Sequence, residues 1–226
     1  MIIDVTKNEK QRGFLEDNHR VSLAYAGEQS GKSLALFSKT CFLSFFQENY
    51  TEKDRLDKRD YVVLIGEPTI KQLQYIAIET VKSILSKMQI SIISFNKTDK
   101  VLTFRGKKAI TKMIFFSYEG GEERIEGFTS HLSCLDEFFQ CPETLYNQIQ
   151  SRLSNTEGKC LLAGTIKNKS MYWIKKRLIE NPNVGTHTWR SEDNPYFSRS
   201  MLAELKDSLS PDIFERRYNA SLTKFE

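Results

Sequence analysis

Residues 26–33 read Ala26-Gly27-Glu28-Gln29-Ser30-Gly31-Lys32-Ser33 and fit the loop pattern (A/G)-x-x-x-x-G-K-(S/T). An apolar run over 21–25 precedes this stretch, and a second apolar run begins at Leu34. A strand, a glycine-rich loop and a helix in this order are the context in which the pattern cradles phosphate. Backbone N–H groups of such a loop form an anion-binding nest, and the dipole of the helix adds positive potential. The stretch therefore predicts a phosphate-binding loop between a strand and a helix.

The side chains of this loop have the chemistry that nucleotide binding needs. Lys32 would reach the β- and γ-phosphates, and the Ser33 hydroxyl would bind Mg²⁺. The sequence therefore predicts ATP and Mg²⁺ as the bound species. The candidate nucleotide contacts are Ala26, Gly27, Glu28, Gln29, Ser30, Gly31, Lys32 and Ser33.

The composition excludes several broad classes of protein. A chain of 226 residues with 39% hydrophobic and 27% charged residues is typical of a soluble globular protein, and we predict one domain over 1–226. The net charge of +4 permits a polyanionic partner without requiring one. No signal peptide is recognisable, and no apolar run approaches the roughly 18 residues that span a membrane. The cysteines form no C-x-x-C pair, so we predict buried thiols in a reducing, cytosolic compartment: Cys41, Cys134, Cys141 and Cys160.

The order of the predicted elements indicates an α/β fold. The buried strand 61–65 is followed by a helix with apolar residues at helical spacing over 73–88, which continues a β-α-β-α order and favours a parallel sheet. Short strand-like runs at 90–95, 101–104 and 112–117 favour antiparallel strands added at its edge. We therefore predict a mainly parallel sheet with helices on both faces and antiparallel edge strands.

The sequence also predicts which helix faces are buried and where a functional loop lies. The helix after the phosphate loop is apolar nearly all round, with Leu34 and Phe42 among its apolar residues, so we expect it to be buried. Ile76 lies on the apolar face of the helix over 73–88. The glycine-rich, charged stretch 118–130 is expected to be a loop, and loops often carry functional residues.

A second element has the chemistry of nucleotide hydrolysis. The apolar run 132–135 predicts a buried strand and leads directly into Asp136 and Glu137. In an open α/β sheet, ligands bind beyond the carboxyl ends of the strands, where these two acids are placed. Asp136 would hold Mg²⁺ together with Ser33. Glu137 would act as the general base that polarises the attacking water.

Other candidate residues leave two interpretations open. The strand 159–163 ends in Gly164-Thr165, so Thr165 or Asn168 would sense the γ-phosphate, or Asn168 would simply cap the next helix. Arg124 lies in the predicted loop before the acidic strand and is a candidate arginine finger. Because glutamates flank Arg124, a solvated surface arginine is an equal alternative.

Together these elements resemble the ATPase domain of the large terminase subunit, the DNA-packaging motor of tailed phages. The resemblance extends over nearly the whole chain, because further family motifs are similar to segments of this sequence. They are the upstream glutamine motif at 11–15, the arginine-glycine segment at 124–127, the coupling motif at 164–168 and the D-N-P segment at 192–197. The D-N-P segment distinguishes the family from other P-loop ATPases.

The resemblance implies roles for these residues and partners for the chain. Gln11 would read the adenine, Thr165 and Asn168 would couple hydrolysis to movement, and Arg124 would act on a neighbouring subunit. The fold would be the additional-strand, catalytic-glutamate type of P-loop NTPase. The implied partners are double-stranded DNA, the portal, the small terminase subunit and further copies of the chain. By analogy with the family, these copies would form a pentameric ring, in the cytoplasm of the infected host.

The sequence departs from the family pattern in two respects. The family often has a basic residue inside the loop, where this chain has Glu28 and Gln29, so more weight falls on Arg124. The chain stops near where a nuclease domain would begin. It is therefore expected to be an excised ATPase domain or a naturally short ATPase, and we favour the excised domain, without nuclease activity. The alternatives are a helicase-like ATPase, a P-loop kinase and an assembly subunit that binds ATP without turnover.

Overall fold

The structure is a computed structural model that describes residues 8–167 and 172–222. Its strands are β1 Val21–Ala26, β2 Tyr61–Glu67, β3 Ile92–Asn96, β4 Val101–Arg105, β5 Ile110–Ser117, β6 Leu132–Leu135, β7 Lys159–Gly164 and β8 Val184–Trp189. Its α-helices are α1 Glu9–Glu16, α2 Lys32–Phe46, α3 Glu52–Leu56, α4 Ile70–Gln72, α5 Glu79–Lys87, α6 Gly121–Arg124, α7 Glu143–Leu153, α8 Tyr172–Ile174, α9 Arg199–Ser208 and α10 Pro211–Arg217. The π-helical segments Leu73–Ile78 and Lys175–Ile179 and the 3₁₀ turns Phe138–Gln140, Ser154–Thr156 and Ser191–Asp193 complete the set.

The described residues form two compact units. The first contains Phe37–Asp136 and Gln140–Leu161, and the second contains residues 8–36, Glu137–Phe139, 162–167 and 172–222. Both units lie within the single domain predicted over 1–226, which stays a prediction.

The first unit contains strands in the order β3-β4-β5-β2-β6-β7. Strand β2 pairs in parallel with both β5 and β6, whereas β4 pairs antiparallel with β3 and β5. The predicted antiparallel strands are therefore present at one edge, but β5 also belongs to the parallel part. The core of this unit is built from the aliphatic and aromatic side chains of β2, β5 and β6, which are almost completely buried.

The second unit contains strands in the order β7-β1-β8, and β1 pairs in parallel with β8. Helix α1 packs on this pair through Phe14, which is fully buried and makes an edge-to-face contact with His187, with the two ring centroids 5.8 Å apart. The predicted α/β fold class, with a mainly parallel sheet, is confirmed. The four cysteines are buried free thiols, as predicted.

Two helices differ from the prediction. Helix α2 is not buried all round, because Leu34, Phe42 and Phe46 are 43%, 49% and 37% exposed and form an open face. Ile76 is also exposed, because residues 73–78 form a π-helical turn that inserts an extra residue per turn and shifts the apolar spacing.

Two boundaries also differ. The stretch 118–130 contains the short helix α6, and β2 continues through Gly66 and Glu67, two residues beyond the predicted strand 61–65. Among the described residues, no helix combines the length and apolar character that crossing a membrane requires.

The junction between α1 and β1 depends on one carboxylate. Asp17 Oδ1 accepts a hydrogen bond from the His19 backbone N–H at 3.0 Å, and Asp17 Oδ2 lies 3.0 Å from His187 Nε2. Burial by itself raises the pKa of Asp17, but the hydrogen bonds from His19, Ser22 and His187 outweigh it, so the pKa lies well below its ordinary value.

We predict that Asp17→Asn lowers the free energy of unfolding at pH 7 by about 1–3 kcal/mol, since it removes a carboxylate with several donors. The folded-state pKa of Asp17 lies below the unfolded value, so its stabilisation is present above about pH 4 and is lost as the pH falls further. Urea denaturation from pH 7 to pH 3 measures the difference between variant and wild type. A difference that stays constant over this range would contradict the role of the carboxylate charge.

Candidate active site

The loop after β1 has the backbone of an anion nest. Gln29 and Gly31 both have positive φ, at 55° and 82°, with Ser30 between them. Left-handed residues alternating with right-handed ones turn successive N–H groups toward one point. At Gly31 the positive φ favours glycine, and a Cβ there would also displace the Gln11 amide, whose Nε2 would lie 2.7 Å away. Helix α2 begins at Lys32, and the N–H groups of its first turn have no intrahelical acceptor. The loop is therefore shaped to bind an anion.

Side chains distant in sequence bond to the carbonyl groups of this loop. The Ser30 carbonyl accepts from Gln11 Nε2 at 2.7 Å and from Trp189 Nε1 at 3.1 Å. The predicted adenine reader Gln11 thus lies against the phosphate loop, and the buried indole of Trp189 lies at the same carbonyl. These bonds restrain Ser30, the residue between the two left-handed positions.

The segment after β8 bonds to two further carbonyls of the loop. Ser191 Oγ donates to the Glu28 carbonyl at 2.6 Å, and Asn194 Nδ2 donates to the Gln29 carbonyl at 2.6 Å. The D-N-P segment, which the sequence analysis noted without assigning it a contact, thereby touches the loop through its asparagine.

Helix α10 brings a basic residue to the loop. Arg217 Nε and Nη2 both lie 2.8 Å from Glu28 Oε1, and the Glu28 N–H donates to the Arg217 carbonyl at 2.7 Å. The sequence predicts a loop without a basic residue before Lys32 and favours Arg124 as the source of positive charge. The Arg217 guanidinium was missed, because no local pattern relates residues so far apart in sequence.

Glu137 lies between two lysines. It follows the turn after β6 with a φ of 48°, and its Oε1 lies 3.5 Å from Lys32 Nζ. Its Oε2 lies 3.0 Å from Lys167 Nζ. Burial by itself raises the pKa of Glu137, but the charges of Lys32 and Lys167 outweigh it, so the pKa lies below its ordinary value. Glu137 is therefore a carboxylate at neutral pH, next to the lysine of the phosphate loop.

Thr165 also contacts the loop. It is buried at the end of β7, and its Oγ1 donates to the Ala26 carbonyl at 3.0 Å. Gly164 precedes it, where a Cβ would lie 2.8 Å from Phe139 Cδ2, so the strand end passes close to the turn that contains Glu137. Asn168, the other predicted coupling residue, lies outside the described residues.

Two predicted residues belong to the first unit. Asp136 is buried, its N–H donates to the Gly66 carbonyl at 3.1 Å, and its own carbonyl accepts from the Tyr118 hydroxyl. Arg124 is the last residue of α6, and its guanidinium donates to the Asp99 carbonyl. The roles of Asp136 as a metal ligand and of Arg124 as a finger stay predictions.

The two predicted metal ligands are oxygen donors, the kind that Mg²⁺ prefers to a softer metal's ligands. Ser33 lies in the first turn of α2 in the second unit, and Asp136 follows β6 in the first unit. No group of three or more His, Cys, Asp or Glu side chains suited to hold a metal occurs in the described part of the chain.

A family model for the N-terminal part of the T4likevirus-type terminase large subunit matches residues 23–223. The chain belongs to this family. The match covers the phosphate loop, the Asp136-Glu137 pair and the D-N-P segment, so the resemblance stated from the motifs is confirmed. No curated protein matches the sequence.

Solved terminases share the fold. The large terminase of a thermophilic bacteriophage in complex with ADP is 16% identical with a TM-score of 0.79, covering 95% of this chain and 53% of that chain. The Thermus phage P74-26 large terminase ATPase domain is 17% identical with a TM-score of 0.72, covering 94% of this chain and 92% of that one. The HK97 large terminase is 15% identical with a TM-score of 0.67, covering 97% of this chain and 50% of that chain. This chain thus spans about half the length of the whole large terminases that it matches, and these low identities show the fold alone.

The Arg217–Glu28 pair generates a prediction for this terminase chain. We expect Arg217→Met to weaken ADP binding about 10-fold, because it leaves a partly buried carboxylate without its cation beside the site of an anionic ligand. Isothermal titration calorimetry measures the change.

Arg216→Met is the matched control, because Arg216 pairs with Asp212 within α10 and should leave ADP affinity unchanged. Equal losses in both variants would show that the effect comes from the stability of α10 rather than from Glu28.

Proposed function

We propose that this chain hydrolyses ATP with Mg²⁺ and that the hydrolysis drives double-stranded DNA into a procapsid. The observation that supports hydrolysis best is Glu137, a charged carboxylate 3.5 Å from the phosphate-loop lysine Lys32. Membership of the terminase family supports packaging as the work that hydrolysis performs. Two structures of a related large terminase, in complex with ATP-gamma-S and with ADP, support a nucleotide as the ligand.

Different residues in and around the loop would have different roles in binding ATP. The N–H groups at Gly31, Lys32 and Ser33 would surround the phosphates, and the Lys32 ammonium would neutralise charge on the β- and γ-phosphates. Gln11 and Thr165 bond to carbonyls at the two ends of the loop and would hold its shape during turnover.

Mg²⁺ would be held by the Ser33 hydroxyl and the Asp136 carboxylate, and it would supply neutralisation of charge on the phosphate oxygens. Glu137 would accept the proton of the water that attacks the γ-phosphorus, and its low pKa keeps it in the acceptor form at neutral pH. A charged base of this kind favours hydrolysis over transfer to a metabolite.

The packaging role implies partners that we propose from the family alone. They are double-stranded DNA, the portal protein, the small terminase subunit and further copies of the chain in a ring of five, in the cytoplasm of the infected host. We propose ATPase activity alone for these 226 residues. The family supports this role over a helicase-like ATPase or a P-loop kinase, which no observation on the described residues favours.

We predict that Glu137→Gln lowers kcat for ATP hydrolysis by about 100-fold or more, since an amide cannot accept the proton from water. ADP binding should be retained, because the loop keeps its backbone and Lys32. A phosphate-release assay measures turnover, with the exposed Glu204→Gln in α9 as the matched control. Wild-type turnover in Glu137→Gln would show that another group activates the water.

A ring with a shared active site predicts complementation. Arg124→Ala retains Glu137 but lacks the finger, and Glu137→Gln retains Arg124 but lacks the base. If Arg124 acts on a neighbour, an equimolar mixture of the two inactive variants, assembled on procapsids with DNA, should recover a measurable part of the wild-type ATPase rate. A mixture as inactive as its components would contradict a finger supplied by another subunit.

A further inference from the structure

We propose that Lys167 is a positioning residue for the catalytic base, holding the Glu137 carboxylate in place while Lys32 is engaged by the phosphates of ATP. The inference rests on the function proposed above and adds a residue to it. In the sequence, Lys167 lies within the coupling motif at 164–168, and the motif gives it no role of its own.

The two oxygens of Glu137 have different cationic partners. Oε1 lies 3.5 Å from Lys32 Nζ, and Oε2 lies 3.0 Å from Lys167 Nζ, the shorter of the two contacts. The lysines come from different elements, since Lys32 opens α2 and Lys167 follows β7. One carboxylate is thus held from two sides.

The two lysines differ in their position relative to the bound nucleotide. The Lys32 side chain is 8% exposed at the end of the phosphate loop, so a bound triphosphate competes with Glu137 for its ammonium. The Lys167 side chain is 36% exposed, and the Glu137 side chain is 15% exposed. When the Lys32 ammonium binds phosphate instead, Lys167 is the one of these two lysines that still contacts the Glu137 carboxylate.

A retained cation matters because of where Glu137 lies. Its backbone is left-handed, at a φ of 48°, so the carboxylate reaches the site from a turn and not from the regular strand. A partly buried carboxylate that loses a cation and gains an anionic neighbour would rotate away from the site. Lys167 counters this rotation with a charge-assisted hydrogen bond.

The position of Lys167 in the chain links it to the phosphate loop. Two residues before it, Thr165 donates to the Ala26 carbonyl at the start of the loop. The short segment after β7 therefore contacts both the loop and the base. A change in the loop on nucleotide binding would be transmitted along this segment to the lysine that holds Glu137.

The test compares Lys167→Met, Lys167→Gln and Lys167→Arg in the whole chain, with the exposed Lys206→Met in α9 as control. We expect Lys167→Met and Lys167→Gln to lower kcat for ATP about 10-fold or more, with KM changed less than about 2-fold, because Lys167 contacts the base and not the loop. Lys167→Arg should recover most of kcat, since a guanidinium also bonds a carboxylate. Thermal unfolding and ADP affinity are measured in parallel on each variant.

The outcomes separate this inference from the proposed function. If wild type hydrolyses ATP and Glu137→Gln does not, while Lys167→Met and Lys167→Gln keep wild-type kcat, the positioning role alone is overturned. A loss of kcat that Lys167→Arg does not recover also overturns it, as does a loss confined to DNA affinity with DNA-independent turnover unchanged. Absence of turnover in wild type, or full turnover in Glu137→Gln, overturns the proposed function and the positioning role together.

Discussion

The phosphate loop keeps its shape because side chains from elsewhere in the chain satisfy its carbonyl groups. The carbonyls of Glu28, Gln29 and Ser30 accept hydrogen bonds from side chains of α1, of the last residue of β8 and of the segment after β8. Gln29 is a left-handed residue other than glycine, so it carries backbone strain that its surroundings must offset. The anion nest therefore depends on tertiary contacts as well as on its own sequence.

Negatively charged side chains at this loop are paired with cations from other parts of the chain. Glu28 adds a negative charge close to where phosphate would bind, and Arg217 neutralises it through two contacts to one carboxylate oxygen. Glu137 is neutralised in the same way by Lys32 and Lys167. In both places a carboxylate contacts a cation from a distant segment. For the partly buried Glu137, the two lysines outweigh the effect of burial and hold its pKa below the ordinary value.

The fold was predictable where local pattern and burial agree. The continuous apolar runs at β2 and β6 are typical of strands buried on both faces, and both were predicted. The predictions failed for two helices. Residue type alone did not indicate how many residues form each helical turn, or whether another part of the chain covers an apolar helix face. Ile76 follows helical spacing in sequence, but a π-helical turn exposes it, and the apolar Leu34 and Phe42 of α2 remain uncovered in the structure.

By itself the sequence determined the phosphate loop, the paired acids after β6 and the α/β class, because each follows from residue type at short spacing. Tertiary structure alone decided which charges meet. Lys167 and Glu137 are 30 positions apart, and Arg217 and Glu28 are 189 apart. Contacts over such separations depend on how the chain packs, and electrostatic attraction has no period that a sequence pattern would reveal. Only the folded chain therefore pairs Glu137 with Lys167 and Glu28 with Arg217.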